Sequence, residues 1–348
     1  MDRKRSSRPR FLDALPPYPG GKRRLLPAIL GLIREVAPNA EWPQLTFADP
    51  FLGGGSVSLT AKALGFGQVL CNDLALRSVL VGRGLIANSS TRLTETDVLQ
   101  LYAAKSSTGE RQPRLLELLP ARLSSLMQRA WSEAAGFEPP KDALAILLLV
   151  RCLLSYFPLG LPGATDAHRI PLSDFDPVTG KRLRQYLRRA EALTRPDELI
   201  RLARKVNAGV LPGKGRVSQG DALEFLTAIR ADVCYVDPPY GKTQSYEGAF
   251  RLLDELLGEE ARAVSQFSSS RAPLDDLLDA CRHIPIVVMS LGSGALNQAD
   301  AERLVSRHRK VKRFVSIPYV HYGAVAGYEK RLSNKEFLIL STNDGGTS

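Results

Sequence analysis

The densest chemistry in the chain lies in Val233-Cys234-Tyr235-Val236-Asp237-Pro238-Pro239-Tyr240. A short buried strand is expected over Val233 to Val236. Its carboxyl end, where ligand sites of open α/β sheets lie, carries a carboxylate, two prolines and an aromatic ring. The prolines lack a backbone donor and stiffen the loop. Asp237 and a proline carbonyl can then accept two hydrogen bonds from a single amino group. An exocyclic base nitrogen is a poor nucleophile because its lone pair is delocalised into the ring. Two acceptors on its hydrogens pyramidalise it and aim the lone pair at a methyl donor. Tyr240 offers a face on which an unstacked base can lie.

A second group is Phe47-Ala48-Asp49-Pro50-Phe51-Leu52-Gly53-Gly54-Gly55-Ser56. Here a strand enters three glycines and then a helix. Glycines permit unusual dihedrals and close approach of a ligand to the backbone. About 20 residues on, Asp73 follows the next strand, where an acid can accept hydrogen bonds from ribose hydroxyls. A dinucleotide fingerprint requires glycine at position 58, and this chain has Ser58. The third group, Pro17-Tyr18-Pro19-Gly20-Gly21-Lys22, is a basic glycine turn whose lysine can pair with a ligand carboxylate as a point charge.

The elements that must hold these groups follow from periodicity. Leu25 to Val36 has helical spacing and stops before Pro38. Strands are expected at Leu45 to Ala48 and Val69 to Cys71, with a helix from Ser56 to Leu64 between them; this β-α-β unit implies parallel pairing. From about Leu80 to Arg204 the pattern is mostly helical, clearest at Leu115 to Trp131 and Ala143 to Tyr156. A Pro/Gly loop running to about Gly180 interrupts it, and a basic helix follows. Alternation returns with strands at Arg216 to Ser218, Val233 to Val236, Ile286 to Ser290, Phe314 to Tyr319 and Phe337 to Ser341. The expected architecture is a basic disordered arm over 1–12 and an α/β domain built from 13–80 and 205–348. A helical insert at 81–204 splits that domain.

The four motifs in order resemble the Dam-type (class alpha) DNA adenine-N6 methyltransferases: Tyr18-Pro-Gly-Gly-Lys22, Asp49-Pro-Phe-Leu-Gly-Gly-Gly55, Asn72-Asp73 and Asp237-Pro-Pro-Tyr240. The similarity covers the first 80 residues and about 130 at the C-terminus. It implies a Rossmann-like sheet, mostly parallel with an antiparallel C-terminal strand, that binds S-adenosylmethionine, and a helical target-recognition insert. By position, Lys22 and Tyr18 would hold the methionine end of the cofactor. Asp49, Phe51, Gly53, Gly54 and Gly55 would line its pocket, Asp73 would take the ribose, and Asp221 would meet its adenine. Asp237, Pro238, Pro239 and Tyr240 would handle a flipped target base. Asn334 to Ile339 resembles the family's closing strand. The chain departs from the family at Asp49, where Glu is common, and around Tyr156 to Leu172.

Bulk properties agree with a polyanionic partner. The 348 residues are 44% hydrophobic and carry a formal net charge of +11. Two basic clusters suit the phosphates of double-stranded DNA. Lys181 to Lys205 has nine Lys/Arg against three acids, and Arg303 to Arg313 has six and none. Cys71, Cys152, Cys234 and Cys281 are scattered and read as buried thiols in a reducing cytoplasm; the four histidines have no metal-ligand spacing. No apolar run reaches membrane-spanning length, and the arm has no signal-peptide stretch. Cytosine N4 or RNA adenine methylation poses the same chemical problem and stays open. So does a DNA-binding protein of this fold without catalysis, and so does an accompanying restriction or defence system. A dinucleotide oxidoreductase leaves Asp237 to Tyr240 without a role.

Overall fold

The structure is a computed structural model that describes residues 9–18, 20–105, 114–157, 177–239, 246–259, 273–294, 296–319 and 334–343. Its centre is a seven-stranded sheet. The strands are β1 (Thr46–Asp49), β2 (Gln68–Asp73), β3 (Lys214–Gln219), β4 (Val233–Val236), β5 (Ile286–Gly292), β6 (Lys310–Pro318) and β7 (Lys335–Thr342). Their order across the sheet is β3-β2-β1-β4-β5-β7-β6. β1 through β5 pair in parallel, and β7 runs antiparallel to both β5 and β6. Six strands therefore point one way and β7 the other, as the resemblance implied.

The helices are α1 (Leu26–Val36), α2 (Ser56–Ala63), α3 (Leu76–Val81), α4 (Glu95–Ala103), α5 (Arg114–Glu117), α6 (Ala121–Ala135), α7 (Lys141–Tyr156), α8 (Pro177–Ala192) and α9 (Pro196–Asn207). After β3 come α10 (Ala222–Ala228), α11 (Tyr246–Leu256), α12 (Pro273–Ala280) and α13 (Gln298–Ser306). Two readings of the sequence needed division. The stretch from Leu115 to Trp131 breaks at Pro120 into α5 and α6, because proline favours a helix start over a helix interior. The basic stretch breaks likewise, with Pro196 opening α9. β6 begins four residues before Phe314, on Lys310. An edge strand tolerates such charges because one flank faces solvent.

Alternate residues of each strand enter two separate cores. Phe47, Val69, Tyr235, Val288 and Leu338 join α1 and α2 on one face, while Ala48, Cys234, Val287, Met289 and Ile339 join α10, α12 and α13 on the other. The central helices bury Val98, Leu123, Leu148, Leu153, Leu199 and Val206 in the same cluster as Phe47. They are thus packed onto the sheet's own core. A π-helical turn, Gly82–Ala87, links α3 to them and lies against β3. Its final carbonyls are gathered by the buried Lys62, which donates to Leu85 at 3.1 Å and to Ile86 and Asn88 at 2.7 Å. α4 starts with a capping box in which Thr94 and Asp97 satisfy each other's backbone N–H groups. Lys141 of α7 reaches the same Asp97 at 2.9 Å.

Candidate active site

β1 and β4 are neighbours, but the chain leaves them in opposite directions, β1 toward β2 and β4 toward β5. Such a reversal opens a crevice at the carboxyl ends of the strands. Asp49 ends β1, and Asp237 directly follows β4. The crevice therefore begins with two carboxylates.

After β1 the chain turns through Gly53 at φ 50° and Gly55 at φ 72°, both in the left-handed region. A side chain at Gly55 would also meet Val81 Cγ1 at 2.7 Å. The turn is fastened from β2: Asp73 Oδ2 accepts from Gly53 N at 2.7 Å, and its Oδ1 accepts from Ala75 N at 2.9 Å. Burial raises the Asp73 pKa, and these two bonds offset part of the rise. Each carboxylate oxygen retains capacity for another donor. Asn72 is buried beside it, donating to Gly220 O at 2.9 Å and accepting from Ser218 Oγ at 2.8 Å. That ties the end of β2 to the end of β3. Asp221 stands there as the N-cap of α10, with Oδ1 accepting from Leu223 N at 2.8 Å.

Asp49 is buried, and its pKa is raised to about 7. Burial is the main cause; the Ser58 hydroxyl, donating at 2.6 Å, opposes it, and the charge of Asp237 adds to it. Phe51 N donates to the other oxygen at 3.2 Å, and the Phe51 ring packs toward the α10 side of the sheet. Ser58 thus has a positive reason to stand where a dinucleotide fingerprint has glycine: its hydroxyl serves the carboxylate at the strand end.

Lys22 comes from a single turn of 3-10 helix, Lys22–Arg24, and is buried. Its Nζ lies 3.0 Å from Asp237 Oδ1 and 3.0 Å from Glu336 Oε1. Burial disfavours its charge, but the two carboxylates outweigh burial and hold its pKa above the ordinary lysine value. Glu336 is fully buried on β7 and also accepts from Ser290 Oγ of β5 at 2.6 Å. The Tyr319 hydroxyl donates to Gly21 O at 2.8 Å, fixing the lysine turn to the β6–β7 end of the sheet. Beneath Asp237, on the same face of β4, Tyr235 is buried, which pushes its hydroxyl pKa well up, with Asp237's charge adding to the rise.

Tyr18 lies against the glycine turn. A Cβ built on Gly54 would meet Tyr18 Cβ at 2.6 Å, and the Tyr18 ring stacks on Phe250 of α11 at 5.5 Å. Arg77 of α3 covers Phe250 at 4.5 Å and pairs with Asp254. Of the aromatic motif, Pro238 is buried and Pro239 half-buried beside Asp237; Tyr240, like Pro19, lies outside the described residues.

The structure gathers Tyr18, Lys22, Asp49, Phe51, Gly53, Gly54, Gly55, Asp73, Asp221, Asp237, Pro238 and Pro239 along one sheet edge. Sequence reasoning named Lys22 as a partner for ligand carboxylate; the structure pairs it with Asp237 and Glu336. Glu336, Ser290, Ser58, Arg77 and Phe250 were missed. For Glu336 the signal was a lone acid beside the apolar run Phe337 to Ser341, a place where burial has to be compensated.

The second basic cluster, Arg303 to Arg313, divides between exposed and buried members. Lys310 is level with Thr342 and Ile286, at the amino-terminal edge of β5, opposite the edge that holds Asp237. Arg309 is buried and donates to Cys281 O at 2.9 Å, Ile284 O at 2.7 Å and Ser341 Oγ at 3.1 Å. Arg307 pairs with Asp275 at 2.9 Å. Arg309 is thus structural, closing the α12–β5 turn, while Arg303, Arg307, Lys310, Lys312 and Arg313 are exposed. In the first cluster, Lys181, Arg184 and Arg188 are exposed on α8 at spacings of three and four, which puts them on one face. α8 packs on α7, whose Arg151 donates to Ala14 O at 3.0 Å and to Leu15 O. His168, His321 and Tyr322 lie outside the described residues.

The reversed sheet order, the glycine turn and the Asp-Pro-Pro strand end define an α/β methyltransferase. Residues 18–112 match the family described as D12 class N6 adenine-specific DNA methyltransferase. The chain is 24% identical over 322 residues to a Type II methyltransferase, M2.HphI, of Haemophilus parahaemolyticus, covering 86% of this chain and 90% of that relative. Among solved structures, the rRNA methyltransferase aviRa of Streptomyces viridochromogenes overlaps 97% of this chain and 94% of its own, at 13% identity and a TM-score of 0.36. No described helix is long and apolar enough to cross a membrane.

Proposed function

We propose that this chain transfers a methyl group from S-adenosylmethionine to the N6 amino group of adenine in double-stranded DNA, as a site-specific enzyme of the Dam-type subclass. The observation that carries this reading is Asp237: a carboxylate at the switch point, followed by two prolines and held by a buried ammonium 3.0 Å away.

The residues present fit such a donor. When bound, S-adenosylmethionine supplies an electrophilic methyl group on a positively charged sulfur. The edge places Asp49, Asp73, Asp237 and Glu336 together, and Asp49 is held near neutrality for want of a counter-charge; a cation is what such an edge favours. Asp73 and Asp221, at the ends of neighbouring strands, present acceptors for the ribose hydroxyls and the adenine amine of a nucleoside. Gly53 to Gly55 let it approach the backbone, with Tyr18 and Phe51 on its flanks.

Asp237 and the Pro238 carbonyl accept the two amino hydrogens of the target adenine, flipped out of the duplex and stacked on Tyr240. With the donor bound, the amino nitrogen would take the methyl group as the donor's carbon–sulfur bond breaks. The extra proton leaves the nitrogen toward the Asp237 carboxylate and then water. No covalent enzyme intermediate is required. The helices of 81–204 act as the target-recognition insert on the methyltransferase domain of 13–80 and 205–348, with Lys181, Arg184 and Arg188 facing phosphates.

The test incubates the full chain with S-adenosylmethionine and duplex DNA, digests the product to nucleosides and weighs them. N6-methyladenine is expected; N4-methylcytosine, or product only on RNA, would replace the substrate assignment. Asp237→Ala is expected to lower turnover about 10³-fold or more, within the range for a positioned proton acceptor. Full activity in that variant would remove the assignment.

A further inference from the structure

We infer that Glu336, on a strand remote in sequence from every glycine and proline motif, is a positioning residue that sets the active carboxylate through Lys22. The inference rests on the proposed methyl transfer.

Three charges meet in one site, with Lys22 and Glu336 buried and Asp237 at its partly exposed rim. Lys22 Nζ is 3.0 Å from both Glu336 Oε1 and Asp237 Oδ1. Glu336 is fully buried, and Lys22 is 5% exposed. An ammonium in such a place needs compensation, and one carboxylate would give a closed neutral pair. Two carboxylates share the one ammonium, so Glu336 draws part of its charge away from Asp237. Asp237 therefore keeps net negative character toward an amino group and a sulfonium, while one of its oxygens is fixed by the ammonium. Glu336 itself is immobilised from β5, where Ser290 Oγ donates to the same Oε1 at 2.6 Å. Tyr319 fixes the lysine turn from the other side, through Gly21 O at 2.8 Å, with its ring 5.9 Å from Nζ. The closing strand β7 thus reaches the reacting group by way of a residue near the N-terminus.

Glu336→Gln keeps the shape and an acceptor for Ser290 but removes the charge. Lys22 then turns its whole charge on Asp237. Turnover is expected to fall roughly 100-fold, the scale associated with a misplaced reacting group, while KM for DNA stays within about threefold because uniform binding is untouched. A residue acting through Lys22 has no further effect once Lys22 is gone. In a Lys22→Met background, E336Q is expected to leave the residual turnover unchanged. Thermal unfolding supplies a readout independent of activity. E336Q lowers the melting temperature of the native chain but raises it in K22M, where the glutamate is a buried carboxylate without its ammonium.

Equal effects of E336Q in both backgrounds, or undiminished turnover in a folded E336Q protein, would overturn the inference. A native chain that methylates no nucleic acid would instead overturn the functional reading, and the melting cycle would still decide whether Glu336 acts on Lys22.

Discussion

Asp49 is the residue whose environment makes the clearest demand on solution conditions. Burial lifts its pKa from the ordinary carboxylate range to about 7, so the free protein holds a proton there that the unfolded chain releases near pH 4. Between those values the folded state binds more protons, and the contribution to stability falls as pH rises. A cationic methyl donor has the opposite preference, since it favours the ionised form. Donor affinity is therefore expected to rise with pH up to about 7 and then level off, with proton release on binding below that. Titration calorimetry in buffers of different ionisation enthalpy would show it, and Asp49→Asn should remove the rising limb and lower the plateau. The motif alone marked Asp49 as lining a pocket. That it would be protonated was illegible, because the shift comes from burial and from Asp237, which is 188 residues away in the chain.

At the scale of elements, the strands that carry the site are held by a few polar ties. Gly55 combines a φ of 72° with a side-chain position 2.7 Å from Val81. Gly55→Ala is expected to cost about 1–3 kcal/mol, from left-handed strain, in a urea unfolding curve. Arg309 is the corresponding tie on the far side, bridging the α12–β5 turn and β7. Arg309→Ala leaves several buried carbonyls short of a donor, and roughly 3 kcal/mol of stability should be lost. Sequence reading placed every strand to within a few residues because alternation and turn residues are local signals. It read Arg309 as a surface charge because a run of Lys and Arg looks alike whether its members face water or a neighbouring carbonyl.

For the whole molecule the proposed function asks which surface would meet a duplex. α8 presents Lys181, Arg184 and Arg188 on one face, whereas Lys310 starts an edge strand at the opposite end of the sheet from Asp237. Each lost phosphate contact lowers the slope of log affinity against log salt by about one unit. Lys181→Ala, Arg184→Ala and Arg188→Ala should each show that decrement in filter binding or fluorescence anisotropy. Lys310→Ala and Lys312→Ala should leave the slope unchanged. The central helices share one apolar core with the sheet. Mutations that loosen α7 are accordingly expected to lower the stability of the whole protein in a single transition.

The sequence by itself determined the order of strands and helices and the four motifs, three of them at strand ends, from which amino-group chemistry at Asp237-Pro238-Pro239-Tyr240 is proposed. Those are carried by residue type and short-range spacing. Only the tertiary structure decided that Lys22 is shared between Asp237 and Glu336, that Ser58 serves Asp49, and that Arg309 of the later basic cluster is part of the fold. Each of these depends on which strands lie side by side and on how much water the packing excludes, and neither is written in local spacing.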